Sequence, residues 1–220
     1  SQLRNKQSRD LILPLLKAAD FGIEDLVVVE KEGERLAFTI KGSEPQNPSI
    51  SRNKSIIQDL KTIKFVRDEK GRIVTKVEMP FEIFESEGTK KYFHLLGPIL
   101  DTLKEGKILL VDELDTKLHP LLTERIVKLF NNKKTNPKNA QLIFATHDIH
   151  LLNARIFRRD QIWFTEKKQN GATLLFSLLD FKKGTTPRND EKIGKNYAYG
   201  KYGAIPFLGY FDELLENHTN

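Results

Sequence analysis

Two short apolar stretches each end in residues that carry chemistry. Ile108-Leu109-Leu110-Val111 runs into Asp112 and Glu113, and Gln141-Leu142-Ile143-Phe144-Ala145 runs into Thr146, His147 and Asp148. Continuous apolar runs of this length suit central strands buried on both faces. In open α/β sheets, ligands gather at the carboxyl ends of such strands. Two adjacent carboxylates delivered there have a definite use. Asp112 can hold Mg²⁺ or one of its waters, because this hard cation prefers oxygen ligands and keeps much of its hydration. Glu113 can orient or deprotonate a water for attack on a phosphoryl group. For these residues taken alone, an ordinary strand-to-loop transition with solvated acids is the competing reading.

The surroundings add weight to the chemistry. Leu114-Asp115 follows directly, and Leu118-His119-Pro120 opens a helix. Upstream, Ser86-Glu87-Gly88-Thr89 stands at a helix start, where a hydroxyl, a glycine backbone and unpaired N–H groups favour an anion. Plain N-capping by Ser86 is the alternative there. A phosphate-cradling GxxxxGK[ST] loop is absent, and Lys54-Ser55 and Lys61-Thr62 lack the glycines it needs.

These residues require elements to position them. The spacing predicts a short helix over Leu11–Ala19, then a hairpin of Leu26–Val29 and Leu36–Ile40 around Gly33. The polar, Pro- and Gly-bearing stretch 42–53 reads as a mobile turn region. A second hairpin pairs Ile63–Arg67 with Ile73–Val77 across Asp68-Glu69-Lys70-Gly71. Thr89–Lys104 has helical periodicity with Phe93, Leu96, Leu100 and Leu103 on one side, Pro98 as a kink position and Gly106 as the stop. Helices at about 120–131 and 149–156, with strands at 141–145 and 161–164, complete a strand–helix–strand–helix–strand pattern, the mark of a parallel α/β sheet. A further strand is expected at 173–179 and a last helix over Phe207–Glu216.

Composition sets the outer limits. In 220 residues, 36 Lys and Arg face 30 Asp and Glu, a net charge of +6. Six of the basic residues fall in 181–203 against Asp190 and Glu191. A solvated basic loop is the plainer reading of that tail, and a phosphate-backbone contact with DNA or RNA is the other. Tyr197, Tyr199 and Tyr202, interleaved with Lys195 and Lys201, have the form of a base-stacking patch, although packing against the core explains them equally well. With 39% hydrophobic and 9% aromatic residues the chain can bury a core. The absence of cysteine excludes a disulfide scaffold, a Cys-ligated zinc site and a thiol nucleophile. No apolar run nears the ~18 residues of a membrane span. A soluble, cytoplasmic protein is expected. Arg158, Arg159 and Asp160 suit ion pairs before the Trp163 strand, with a nucleic-acid contact as the lesser alternative. His94 and His150 suit surface or packing positions, and His119, before Pro120 at a helix start, suits a structural role.

In order, the segments LLKAADFGIEDL, SEGT, ILLVDELDTKLHP, NAQLIFATHD, RRDQIWFTEK and GKYGAIPFL resemble ABC-type ATPases of the AAA group that includes bacterial phage-defence and abortive-infection proteins, relatives of SMC-like and OLD-family ATPases. The resemblance implies an α/β fold: a parallel sheet core with helices plus an N-terminal β-hairpin region, the C-terminal lobe of a P-loop ATPase. It implies a helix and hairpin region over 1–85 continuing from an N-terminal lobe, and an ATPase lobe over 86–220. Asp112 would be the Walker B aspartate and metal ligand, Glu113 the catalytic glutamate, and His147 the switch histidine that touches the γ-phosphate. Asp115 would begin the D-loop. Ser86, Gly88 and Thr89 would form the signature motif, which closes over ATP held by a second subunit. ATP and Mg²⁺ are the implied cofactors, and the implied partners are a second copy, through an ATP sandwich, and an effector such as a nuclease in antiviral defence. Because the phosphate loop is missing, the chain by itself is expected to be a poor ATPase. The alternatives are a metal-dependent nuclease using Asp112, Glu113, Asp115 and His147, or a non-catalytic dimerisation and DNA-contact module.

Overall fold

The computed structural model describes residues 6–39, 49–153, 155–181 and 192–206. The chain divides into two compact units, residues 1–109 with 136–141 and residues 110–135 with 142–220.

The first unit opens with helix α1 (Lys6–Ala18), which buries Ile12 and Leu16. A three-stranded antiparallel sheet follows in the order β1 (Asp25–Thr39), β2 (Ser49–Arg67), β3 (Ile73–Pro80). The expected turn at Gly33 is not formed. β1 runs straight through it, with Gly33 opposite Ser55, and the chain reverses between Thr39 and Ser49, which face each other. Glu32 and Glu34 lack the short side chain that caps a turn, whereas passing through Gly33 keeps the ladder unbroken from Asp25 to Thr39. For the same reason residues 49–53, expected in a mobile turn region, belong to β2. The second hairpin forms as anticipated. Asp68 Oδ1 accepts the N–H groups of Lys70 at 3.0 Å and Arg72 at 2.8 Å, and Gly71 takes a φ of +78°.

A one-turn helix, α2 (Phe81–Phe84), leads into α3 (Glu87–Glu105), which continues through Pro98. Its buried stripe is Tyr92, Leu96, Ile99 and Leu103, rotated slightly from the expected one, with Phe93 and Leu100 half-buried at its edge. Gly106 ends α3 in the left-handed conformation at φ +72°, the usual glycine stop.

β4 (Ile108–Val111) and β5 (Gln141–Phe144) form a two-stranded sheet. Bonds from Gln141 N–H to the Lys107 carbonyl and from Ala145 N–H to the Val111 carbonyl keep a constant offset, so the pair is parallel. Burial on both faces does not follow. Ile108, Leu110 and Ile143 are 56%, 73% and 53% exposed, while Leu109, Val111, Leu142 and Phe144 are half-buried. Side chains alternate along a strand, and only one face of this pair is covered.

In the second unit, α4 (Pro120–Asn131) buries Ile126, Val127 and Phe130. The helix expected near 149–156 is a single 3₁₀ turn, Ile149–Leu151, because Asn153 Oδ1 captures the Arg155 N–H in a local turn. β6 (Trp163–Lys167) does not extend the parallel sheet. It pairs antiparallel with β7 (Thr173–Ser177). Arg158 and Asp160 form the expected ion pair before it, at 2.7 Å. After the last described helix, α5 (Ile193–Ala198), the tyrosines go inward. Tyr197 stacks on Phe164 at 5.4 Å and donates to the Ala204 carbonyl, and Tyr202 is buried beside the same ring. Tyr199 stays exposed, so packing against the core explains two of the three tyrosines. The basic stretch 182–191 and the expected helix over Phe207–Glu216 lie outside the described residues. Among the described residues no helix is long and apolar enough to cross a membrane.

Candidate functional site

The ends of β4 and β5 sit side by side. Leu114 N–H donates to the Ala145 carbonyl at 3.0 Å, so the strand-end turns are joined by backbone immediately after the ladder. Leu114 is fully buried and Leu118 nearly so, anchoring the turn between β4 and α4 from within. Polar residues between these anchors are left on the surface.

Asp112 and Glu113 are both exposed. Asp112 has no hydrogen-bond partner among the described residues. Glu113 is held. Its backbone takes a φ of +48°, a left-handed conformation that is uncommon for a residue with a side chain. Its carboxylate accepts a hydrogen bond from Thr116 Oγ1 at 3.0 Å, and its carbonyl accepts the Thr116 N–H at 3.2 Å. Strain of this kind costs on the order of 1–3 kcal/mol and persists where its surroundings over-determine it.

Asp115 ties the two turns together. Its Oδ1 accepts the His147 backbone N–H at 3.3 Å, and the Thr146 hydroxyl bonds the same carboxylate. Partial burial pushes the Asp115 carboxyl up, but the bonds from Thr146, its own backbone and His147, with the nearby imidazole, outweigh it and hold it below its ordinary value. Thr146 Oγ1 also accepts the Asp148 N–H, and Asp148 caps the following 3₁₀ turn through the His150 N–H. The His147 side chain remains exposed at the same strand end.

Asp112, Glu113, Asp115 and His147 thus lie on adjoining turns at the ends of β4 and β5. Thr116 and Thr146 hold two of these carboxylates; the sequence marks Thr146 at its strand end without giving it a partner, and does not single out Thr116. Thr116 lies three residues from the Glu113 carboxylate it binds, whereas Thr146 reaches Asp115 only through the pairing of β4 with β5. His119 caps α4, its Nδ1 accepting the Leu121 N–H at 3.2 Å, a structural role as expected. His94 packs edge-on to Phe93.

Ser86, Gly88 and Thr89 lie in the first unit. Ser86 Oγ accepts the Thr89 N–H at 3.1 Å and lies 2.8 Å from the Thr89 hydroxyl. The capping reading is thus realised. It leaves Ser86 exposed at a nineteen-residue helix's N-terminus, with Thr89 buried beneath it.

The donor set fits a magnesium nucleotide better than a protein-caged metal. Among the described residues no three of His, Cys, Asp and Glu converge on one cation position. A divalent ion at Asp112 would complete its shell from phosphate oxygens and water, which is the habit of Mg²⁺.

A search of curated proteins finds no match to this chain. A family model does match, over residues 2–153, a span that runs from α1 through the Ser86 turn to both strand-end turns. Its family is one of nucleotide hydrolases, and with that span matched the chain belongs to the AAA-domain family of AbiEii toxin-like, type IV toxin–antitoxin systems.

Proposed function

We propose that this chain supplies the water-activating part of an ABC-type ATP-hydrolysing site. The observation that carries the reading is Glu113, a carboxylate presented at a strand's carboxyl end on a strained backbone and steadied by Thr116. Asp112 acts as the Walker B aspartate and Mg²⁺ ligand. Mg²⁺, when bound with the nucleotide, would neutralise charge on the transferred phosphoryl group. Glu113 takes a proton from water as its oxygen attacks the γ-phosphorus, and the bond to the ADP oxygen breaks. His147, on the neighbouring turn, is suited to meet the γ-phosphate, and Asp115 keeps that turn in place as the start of the D-loop. Ser86, Gly88 and Thr89 act in trans, presenting α3's N-terminus to ATP held by a second copy. Hydrolysis then controls a toxic effector, such as a nuclease, in antiviral defence.

The test uses protein that presents this chain together with a Walker A loop, in cis or from a partner subunit. Glu113→Gln keeps shape and nucleotide binding but lowers turnover by about 10²–10⁴-fold, the range for loss of a general base. Wild-type turnover in that variant removes Glu113 from the role. In the same assay Gly88→Arg blocks ATP-dependent association while each monomer still binds ATP. Loss of monomer binding instead would place the motif in cis.

A further inference from the structure

Glu85 lies immediately before the Ser86 turn, and its side chain is only 2% exposed. Two groups engage its carboxylate. Thr62 Oγ1 donates to Oε1 at 2.8 Å, and Lys64 Nζ donates to Oε2 at 3.0 Å. Thr62 and Lys64 are two residues apart on β2, hence on one face of the strand. Thr62 also reaches the Met79 carbonyl at 3.4 Å, and the Glu85 N–H closes α2 on the Phe81 carbonyl at 3.1 Å. The backbone between α2 and α3 is therefore fastened at its midpoint to β2. A buried carboxylate without its cation would be strongly disfavoured, so few other placements of this backbone are open. β2 has a second attribute. It pairs with β3 only from Lys61 to Arg67, and its residues before Lys61 continue with β1 alone as a two-stranded ribbon.

We propose that Glu85 is a positioning residue for the Ser86–Thr89 turn, and that strand β2, through Thr62 and Lys64, sets the geometry in which α3's N-terminus is offered to an anion. This rests on the reading of that turn as the signature element, and adds to it the strand that holds the element in register. A displacement of the ribbon passes to the turn through the Lys64–Glu85 pair.

The experiment is site-resolved amide hydrogen exchange on the 220-residue chain without nucleotide. It probes Thr89, whose N–H binds Ser86 Oγ, and Lys90, whose N–H binds the Ser86 carbonyl. Glu85→Gln and Lys64→Met each accelerate exchange at these two amides by about tenfold, the scale of one charge-assisted hydrogen bond. Gly106 and Lys107, bonded to the Thr102 carbonyl at the far end of α3, keep their wild-type rates. Lys64→Arg retains the cation and restores protection at Thr89 and Lys90. If Lys64→Met fails to fold, Thr62→Val removes one bond and no charge and is read at the same amides. Unchanged exchange at Thr89 and Lys90 overturns the proposal. Equal acceleration along all of α3 also overturns it, because Glu85 would then support the fold generally. No nucleotide enters this measurement, so failure of the hydrolysis reading and failure of this one are told apart.

Discussion

The strained backbone at Glu113 makes a prediction about stability that is separable from the chemistry of its carboxylate. At φ +48° a Cβ crowds the following carbonyl, which costs roughly 1–2 kcal/mol for any L-residue. Comparing Glu113→Ala with Glu113→Gly isolates that cost. Both variants lose the carboxylate and its bond from Thr116, so the side-chain contribution cancels. At ordinary helix or strand positions Gly is the less stable of the two by about 0.5–1 kcal/mol. At Glu113 the order inverts, with Glu113→Gly more stable than Glu113→Ala by about 1 kcal/mol. With a urea slope of about 2.5 kcal/mol/M, that difference moves the midpoint by about 0.4 M. The chain's one tryptophan, Trp163, belongs to the same unit as Glu113, so its fluorescence reports the relevant transition. Equal midpoints, or a higher midpoint for Glu113→Ala, would refute the claim that this backbone is held against its preference. If Glu113 has the proposed hydrolytic role, both variants lose turnover alike, so the difference between them reports the backbone alone.

Two further outcomes follow from other positions. Gly106→Ala destabilises the first unit by about 2 kcal/mol in chemical denaturation, because Ala resists the left-handed conformation and its Cβ would stand 2.9 Å from the Lys138 carbonyl oxygen. An unchanged midpoint would exclude that close approach. The Asp115 carboxyl is held below its ordinary value of 3.8, so the tie to His147 is intact above that value and is lost as pH falls through the lower folded-state value. The Asp115 side-chain carboxyl ¹³C resonance, followed by NMR on acidification, should therefore titrate with a midpoint below 3.8, and a midpoint at or above that value would refute the tie.

Residues whose chemistry is local were legible without a fold. Asp68 and Gly71 dictate their turn because an Asx side chain and a left-handed glycine act over four residues. Ser86 and His119 start helices, and Gly106 stops one, through bonds that reach no further than a helical turn. The apolar runs before Asp112 and Thr146 announced strands, and the parallel pairing of those strands joins the two groups of polar residues. What sequence alone could not decide depends on partners distant along the chain. Gly33 had the composition of a turn, yet pairing with Ser55 carried the strand through it. Leu110 and Ile143 looked like interior residues, but burial is a property of whatever covers a sheet face, and one face of this pair is left open. The three tyrosines near the end of the described chain had the spacing of a binding patch until Phe164, more than thirty residues earlier, drew two of them inward. Nothing in the residues beside Glu85 announces its partners. Only the fold brings Thr62 and Lys64 across from another strand, because a buried carboxylate must find its donors wherever the chain places them.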